Sequence, residues 1–267
     1  MAETLRAYTA LIGGQFRSMA SYRMSFVVEM AGNTLATGLD VITVVVLFGS
    51  THGVAGFSLA EALLVVSLSS LGFALADLTV GNVDHLKTYV RTGLMDVILV
   101  RPLGSLMQLL CMDLPFRKAL RGLISLAVLV VALRLNDLQW TTSKVVLVLL
   151  TPLAGGVFFG AIFVASASLA FWWVDSGEIG SAFTYGGRDF TSYPLPVYAS
   201  WFRSVFAYAL GFGFVAYQPA LALLGRPDPL GLPAWSGFVS PLVALVAAAL
   251  AALLWRAGIR HYRSTGS

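Results

Sequence analysis

The chain has 267 residues, of which 58% are hydrophobic and only 11% charged, with a mean hydropathy of +0.82. Soluble domains carry about 25% charged residues, so this composition excludes an ordinary water-soluble enzyme or binding module and points to lipid as the solvent. The net charge of +4 would suit nucleic acid, but the placement of the basic residues gives it another meaning.

In chain order, residues 1–21 do not read as a cleaved signal peptide, because Glu3, Arg6 and Arg17 interrupt them and no apolar core precedes a small-residue cleavage site. Leu5, Tyr8, Leu11, Ile12, Phe16 and Met19 recur at helical spacing, the pattern of an amphipathic helix lying in the membrane interface. A first span is predicted over Met24–Gly49 and a second over Leu59–Val83. A charged stretch, Asp84 to Arg101, follows and ends at Pro102. A third span covers Ala119–Leu135, entered through Asp113, Arg117, Lys118 and Arg121. The fourth, Val145–Trp173, is long enough to tilt, with Pro152 and Gly155-Gly156 as bend points. Residues 174–200 are polar and aromatic and read as a cytoplasmic or interfacial connection. A fifth span over Phe202–Leu224 and a sixth over Phe238–Trp255 complete the chain. The predicted fold is thus all-α: a polytopic membrane protein of about six transmembrane helices, forming one domain over 1–267.

Lys and Arg in the connections set orientation. With the N-terminus inside, 14 of the 17 basic residues fall on the cytoplasmic side, against Arg134, Lys144 and Arg226 outside. Both termini are then cytoplasmic, and the basic charge is a topology signal, with no nucleic-acid partner. Trp140, Trp173, Trp201, Trp235 and Trp255 all fall at predicted span edges, as interfacial anchors do.

Few residues invite chemistry. There is no Gly-Lys dipeptide, hence no phosphate loop of the G-x-x-x-x-G-K-[ST] form, and neither H-E-x-x-H nor G-x-S-x-G occurs. The single cysteine, Cys111, allows no internal disulfide, and His52, His85 and His261 share no metal-ligand spacing. The carboxylates inside predicted spans are Glu29, Asp40 and Asp77, costly in hydrocarbon and expected to face a bundle interior or wet cavity. Without a basic residue at the same depth in sequence, they motivate one reading as an ion- or proton-coupled secondary transporter. Span-end or structural carboxylates are the competing reading, with Asp40 the deepest of the three.

The stretch Arg91 to Leu103 is more distinctive. Leu94, Val97, Ile98 and Arg101 fall at helical spacing, with Gly93 breaking the chain on one side and Pro102 on the other. This is one short helix between two long ones, apolar where a bland connector needs no apolar residue, and it suits a groove on a partner. A helix lying flat on lipid is the competing reading.

With Gly93-Leu-Met-Asp-Val-Ile-Leu-Val-Arg-Pro102, the Tyr193-Pro…Tyr198 entry, Val215-Ala-Tyr-Gln-Pro-Ala220 and the closing Gly258-Ile-Arg-His-Tyr-Arg-Ser-Thr-Gly266, the chain resembles the membrane-spanning permease subunits of type-2 ABC exporters, particularly a bacterial branch of short six-span permeases. The likeness runs over nearly the whole chain. It implies a pair of permeases, identical or homologous, docked on two cytoplasmic ATPase subunits in the bacterial inner membrane. Residues 1–21 would be the family's interfacial helix. Residues 84–106 would be its coupling loop, with Gly93, Leu94, Asp96, Val97, Ile98, Arg101 and Pro102 meeting the ATPase. ATP and Mg would be held by that partner and no cofactor by this chain. ATP binding would close the ATPase pair, push on the coupling helix and open a pathway for a hydrophobic or amphipathic cargo, a drug, lipid or natural product. The connection over 174–200 departs from the pattern by its length, which leaves room for an additional interfacial helix.

Overall fold

A computed structural model of the chain describes residues 23–49, 56–112, 118–173, 176–229 and 231–263. The interfacial helix expected over 1–21 lies outside the described residues, as does the side chain of Glu29.

The described residues form eleven α-helices and short 3-10 and π segments. The helices are α1 (Arg23–Gly49), α2 (Leu59–Thr79), α3 (Leu86–Arg91), α4 (Leu94–Val100), α5 (Ser105–Met112), α6 (Ala119–Leu135), α7 (Thr142–Ser168), α8 (Gly177–Thr191), α9 (Ser200–Arg203), α10 (Tyr217–Leu224) and α11 (Ser240–His261). Among the described residues, four stretches are long and apolar enough to cross a membrane: Met30–Phe48, Leu59–Thr79, Thr142–Phe171 and Ala234–His261. Helix α6 has 17 residues, about 26 Å at 1.5 Å per residue, short of a full hydrocarbon core but close to it.

Helix α2 is the centre. Ser58 caps it, its hydroxyl accepting from the Glu61 amide while the Glu61 carboxylate accepts from the Ser58 amide, a reciprocal cap that satisfies two amide donors at the helix start. From there α2 is buried on all sides, packed by α6 on one flank and α7 on the other, with α11 against the far side of α7. The outer faces of α1, α7 and α11 carry exposed leucine and valine, including Leu39, Leu149 and Leu245. A bundle greasy outside and serine- and glycine-bearing inside is one solvated by lipid, where small residues let helices approach closely. Gly72 and Gly155 provide that approach: a Cβ on Gly72 would stand 3.1 Å from the Gly155 Cα. The glycine pair of the fourth span is therefore a helix contact, and α7 continues unbroken through Pro152.

Two segments differ from the sequence reading. Over 174–200, where the sequence suggests a cytoplasmic or interfacial connection with room for an additional interfacial helix, the structure has α8, packed against α2 and α7. It starts with Gly177 beside Lys87, and its end reaches halfway along α2, where the Thr191 and Ser69 hydroxyls lie 2.6 Å apart. The span expected over Phe202–Leu224 is broken earlier than Tyr217-Gln-Pro219, where the sequence suggests a break near its far end. A π-helical turn, Ser204–Ala209, leads to Gly211 at φ 86, a 3-10 turn at Phe212–Phe214, and only then α10. The chain doubles back here: a Cβ on Gly213 would lie 2.9 Å from Ala207. Irregular backbone at membrane depth needs protein around it, and Phe212, Gly213, Val215 and Ala216 are all buried.

Among the tryptophans, Trp140, Trp173, Trp201 and Trp235 are exposed as anchors would be, but Trp255 is buried, packed edge-on to Phe171 at 5.2 Å.

Candidate coupling site and intramembrane ion pairs

The loop after α2 begins with a 3-10 turn, Gly81–His85, and short α3. Gly93 at φ 73 turns the chain in the left-handed region, which only glycine enters freely, and α4 begins at once. Arg101 is extended, as the residue before a proline must be. Within α4, Met95 and Ile98 face the protein, Ile98 only 2% exposed, whereas Leu94, Val97 and Val100 stand outward, Val100 at 85%. The outward three recur at i, i+3, i+6 and make one apolar stripe on a helix outside the spans. Arg101 and Pro102 are exposed beside it.

Three side chains fix this loop. Buried Gln108 of α5 donates to the Ile98 carbonyl at 3.2 Å and the Leu103 carbonyl at 2.9 Å. Asn82 donates to the Leu109 carbonyl at 2.6 Å, tying α5 back to the 3-10 turn. The Tyr262 hydroxyl, just past α11, donates to Asp96 at 3.0 Å. Burial, with the Asp96 carboxylate beside it, pushes the Tyr262 phenol up to about 12, which keeps it a donor at neutral pH. Its ring and that of Trp255 flank Phe171, and Gly258 leaves the room, since a Cβ there would come within 2.3 Å of that ring.

Two of the carboxylates within spans, Asp40 and Asp77, are paired. Asp77, 1% exposed, accepts from Lys118 Nζ at 2.6 Å and from Arg121 at 3.1 Å. Asp40 accepts from Arg188 of α8, whose guanidinium also lies 5.4 Å over the Phe73 ring. Sequence reading leaves these carboxylates without a basic partner; the structure supplies three cations from helices distant in the chain. The lack of a basic partner, which motivates the proton-coupled reading, therefore does not hold for Asp40 and Asp77. Arg188 also leaves the set of connection residues that orient the chain, which stays lopsided without it.

On the loop's flank, Asp84 accepts from the Tyr185 hydroxyl at 3.0 Å. Burial pushes its carboxyl above the ordinary value of 3.8, against the Tyr185 hydrogen bond and Lys118, which pull it down.

Over residues 34–266 the chain matches the family model described as ABC-2 family transporter protein. The chain belongs to the ABC-2 transporter family. It is a multi-pass permease subunit of an ABC transporter, and such a permease works with an ATPase subunit. No curated protein and no solved structure matches it.

For the permease, the sequence-derived coupling residues occupy different positions. Leu94 and Val97 are on the outward stripe; Ile98 packs inward; Asp96 is held by Tyr262; Gly93 and Pro102 bound the helix. Val100, Gln108 and Tyr262 are absent from that set. Val100 was within reach of the sequence, since extending the i, i+3 register from Leu94 through Val97 arrives at it. Tyr262 falls within the closing Gly258–Gly266 motif, but nothing local in sequence marks Gln108 or points to the partner of either, 10 and 166 residues away.

Proposed function

We propose that this permease is driven by separate cytoplasmic ATPase subunits that dock on α4, two copies serving a pair of permeases. The observation that carries the reading is the outward apolar stripe Leu94, Val97 and Val100, on a short helix held rigidly by Gln108 and Tyr262. An apolar helix face presented to water without a covering is a helix-in-groove ligand. The end of the bundle carrying α4 also bears Lys87, Arg91, Arg101, Lys118 and Arg260, the charge that the positive-inside rule assigns to the cytoplasm. In this reading both termini are cytoplasmic, the membrane is the bacterial cell membrane, and ATP and Mg belong to the ATPase. ATPase closure moves α4, and Tyr262 and Gln108 pass that movement to α11 and α5. The cargo crosses between the two permeases and is hydrophobic or amphipathic.

The test is co-purification of the permease with its ATPase. Val97→Asp together with Val100→Asp changes only outward side chains, so the permease is expected to fold and insert while the complex and its transport-coupled ATP hydrolysis are lost. An intact complex with unchanged hydrolysis in that variant overturns the reading.

A further inference from the structure

A cavity of about 460 Å³ opens between α2, α5, α7 and α11, within the range of small-ligand pockets, about 300–1,000 Å³. Among the described residues that line it only Thr79 is polar, and its hydroxyl is engaged by the Leu75 carbonyl of its own helix at 2.7 Å. A polar occupant would lose its hydrogen bonds to water on entering and find none in return. Along α7 the lining runs from Leu153 to Val164, about 16 Å at 1.5 Å per residue, so the cavity is elongated along the helix axis. Leu153 and Val157 are themselves exposed. The cavity therefore opens sideways, on the face of the bundle that meets lipid.

Charge comes in at one end. Ala248 and Ala252 of α11 line the cavity, and Arg256 and Arg260 continue that i, i+4 series toward the end of the bundle that carries α4. Arg256 stands one turn past the lining, about 6 Å along the axis. Both arginines are exposed, and among the described residues neither is in an ion pair. A guanidinium is a forked donor that fits phosphate oxygens. An apolar slot open to the bilayer, with two uncompensated arginines beyond its end, has the layout of a chain with an anionic head.

We propose that this cavity, with Arg256 and Arg260, is a site for an anionic phospholipid of the membrane, an acyl chain in the slot and the headgroup phosphate on the arginines. The lipid lies between α5 and α11, the two elements whose ends hold α4 through Gln108 and Tyr262.

The experiment offers the purified permease, delipidated in an uncharged detergent, equal amounts of dioleoyl phosphatidylglycerol and dioleoyl phosphatidylcholine, and counts bound lipid by native mass spectrometry. The anionic lipid binds about tenfold or more tightly than the zwitterionic one. Arg256→Gln together with Arg260→Gln abolishes that preference. Ala252→Phe, which fills the slot, weakens phosphatidylglycerol binding by about tenfold or more. Arg134→Gln, at the opposite end of the bundle, changes neither. All four positions are exposed, an unchanged melting temperature verifies folding, and the parent's own choice between the two lipids needs no variant. Equal binding of both lipids by the parent, a preference that survives loss of both arginines, an Ala252→Phe variant that binds as the parent does, or permease dimers that take up no lipid overturns the proposal. No ATPase enters the measurement, so its outcome is separate from docking on α4.

Discussion

Asp77 is enclosed at the end of α2, and both of its cations come from the start of the next span. Removing one member of a buried ion pair leaves the others desolvated and unpaired, which costs about 3–5 kcal/mol. Asp77→Ala is expected to lower the apparent melting temperature of the permease in detergent by more than any substitution on the α4 stripe. Gly81→Ala reports on the same pair, because its Cβ would come within 2.4 Å of Asp77 Oδ1 and push the carboxylate off its cations. Asp84 has the opposite habit. Its carboxyl is held above 3.8 by burial, so in the pH window between that value and the raised one the folded state keeps a proton that the unfolded chain has lost. Stability from this group therefore falls as pH rises through the window. Thermal unfolding measured across mildly acidic pH is expected to show this fall in the parent and a flatter profile in Asp84→Asn. None of these pairings was legible in the sequence: Lys118 and Arg121 stand 41 and 44 positions from Asp77, and Arg188 stands 148 from Asp40. Sequence shows a costly carboxylate, but only the packed fold brings the cation that makes it affordable.

At the scale of elements, α1, α2, α7 and α11 could be read within a few residues because lipid demands long apolar runs and little else competes with that signal. The boundaries of α6 were equally plain, and α4 stood out through Gly93 and Pro102. Residues 200–224 were not legible as what they are, because a buried re-entrant turn and a true span have the same composition. Tyr217-Gln-Pro219 marks a break near the far end of the run, whereas the earlier one has only Gly211 as its local sign, which a hydropathy run overrides. Gly211 tests this reading. It holds φ 86, and a Cβ would meet Val243 Cγ1 at 2.7 Å. Gly211→Ala is expected to cost about 1–2 kcal/mol from the left-handed backbone alone, before the clash is counted, and to show as a lower melting temperature. Gly72→Val probes the α2–α7 seam similarly. The helices must part where the Gly155 backbone now lies 3.1 Å from the added Cβ position, and overpacking of this kind costs about 1–3 kcal/mol.

Across the whole molecule, the two ends of the bundle differ in what they offer. One end joins α2 to α6 and α10 through Asn136 on the Ala60 carbonyl and Arg226 on Glu61, contacts that close it. The other end leaves an apolar helix standing outward among basic residues. The proposed docking of an ATPase on α4 needs that asymmetry, with α4 reached from one side of the membrane and from nowhere else. Val100, the most exposed of the stripe, reports on this when replaced by cysteine, because the native Cys111 is buried. The decisive measurement is labelling of Val100→Cys by a membrane-impermeant maleimide in intact cells and in inside-out vesicles, with and without the ATPase. The account predicts no labelling in cells, ready labelling in vesicles stripped of ATPase, and protection when ATPase is bound. Labelling in intact cells, or equal labelling of vesicles with and without ATPase, contradicts it.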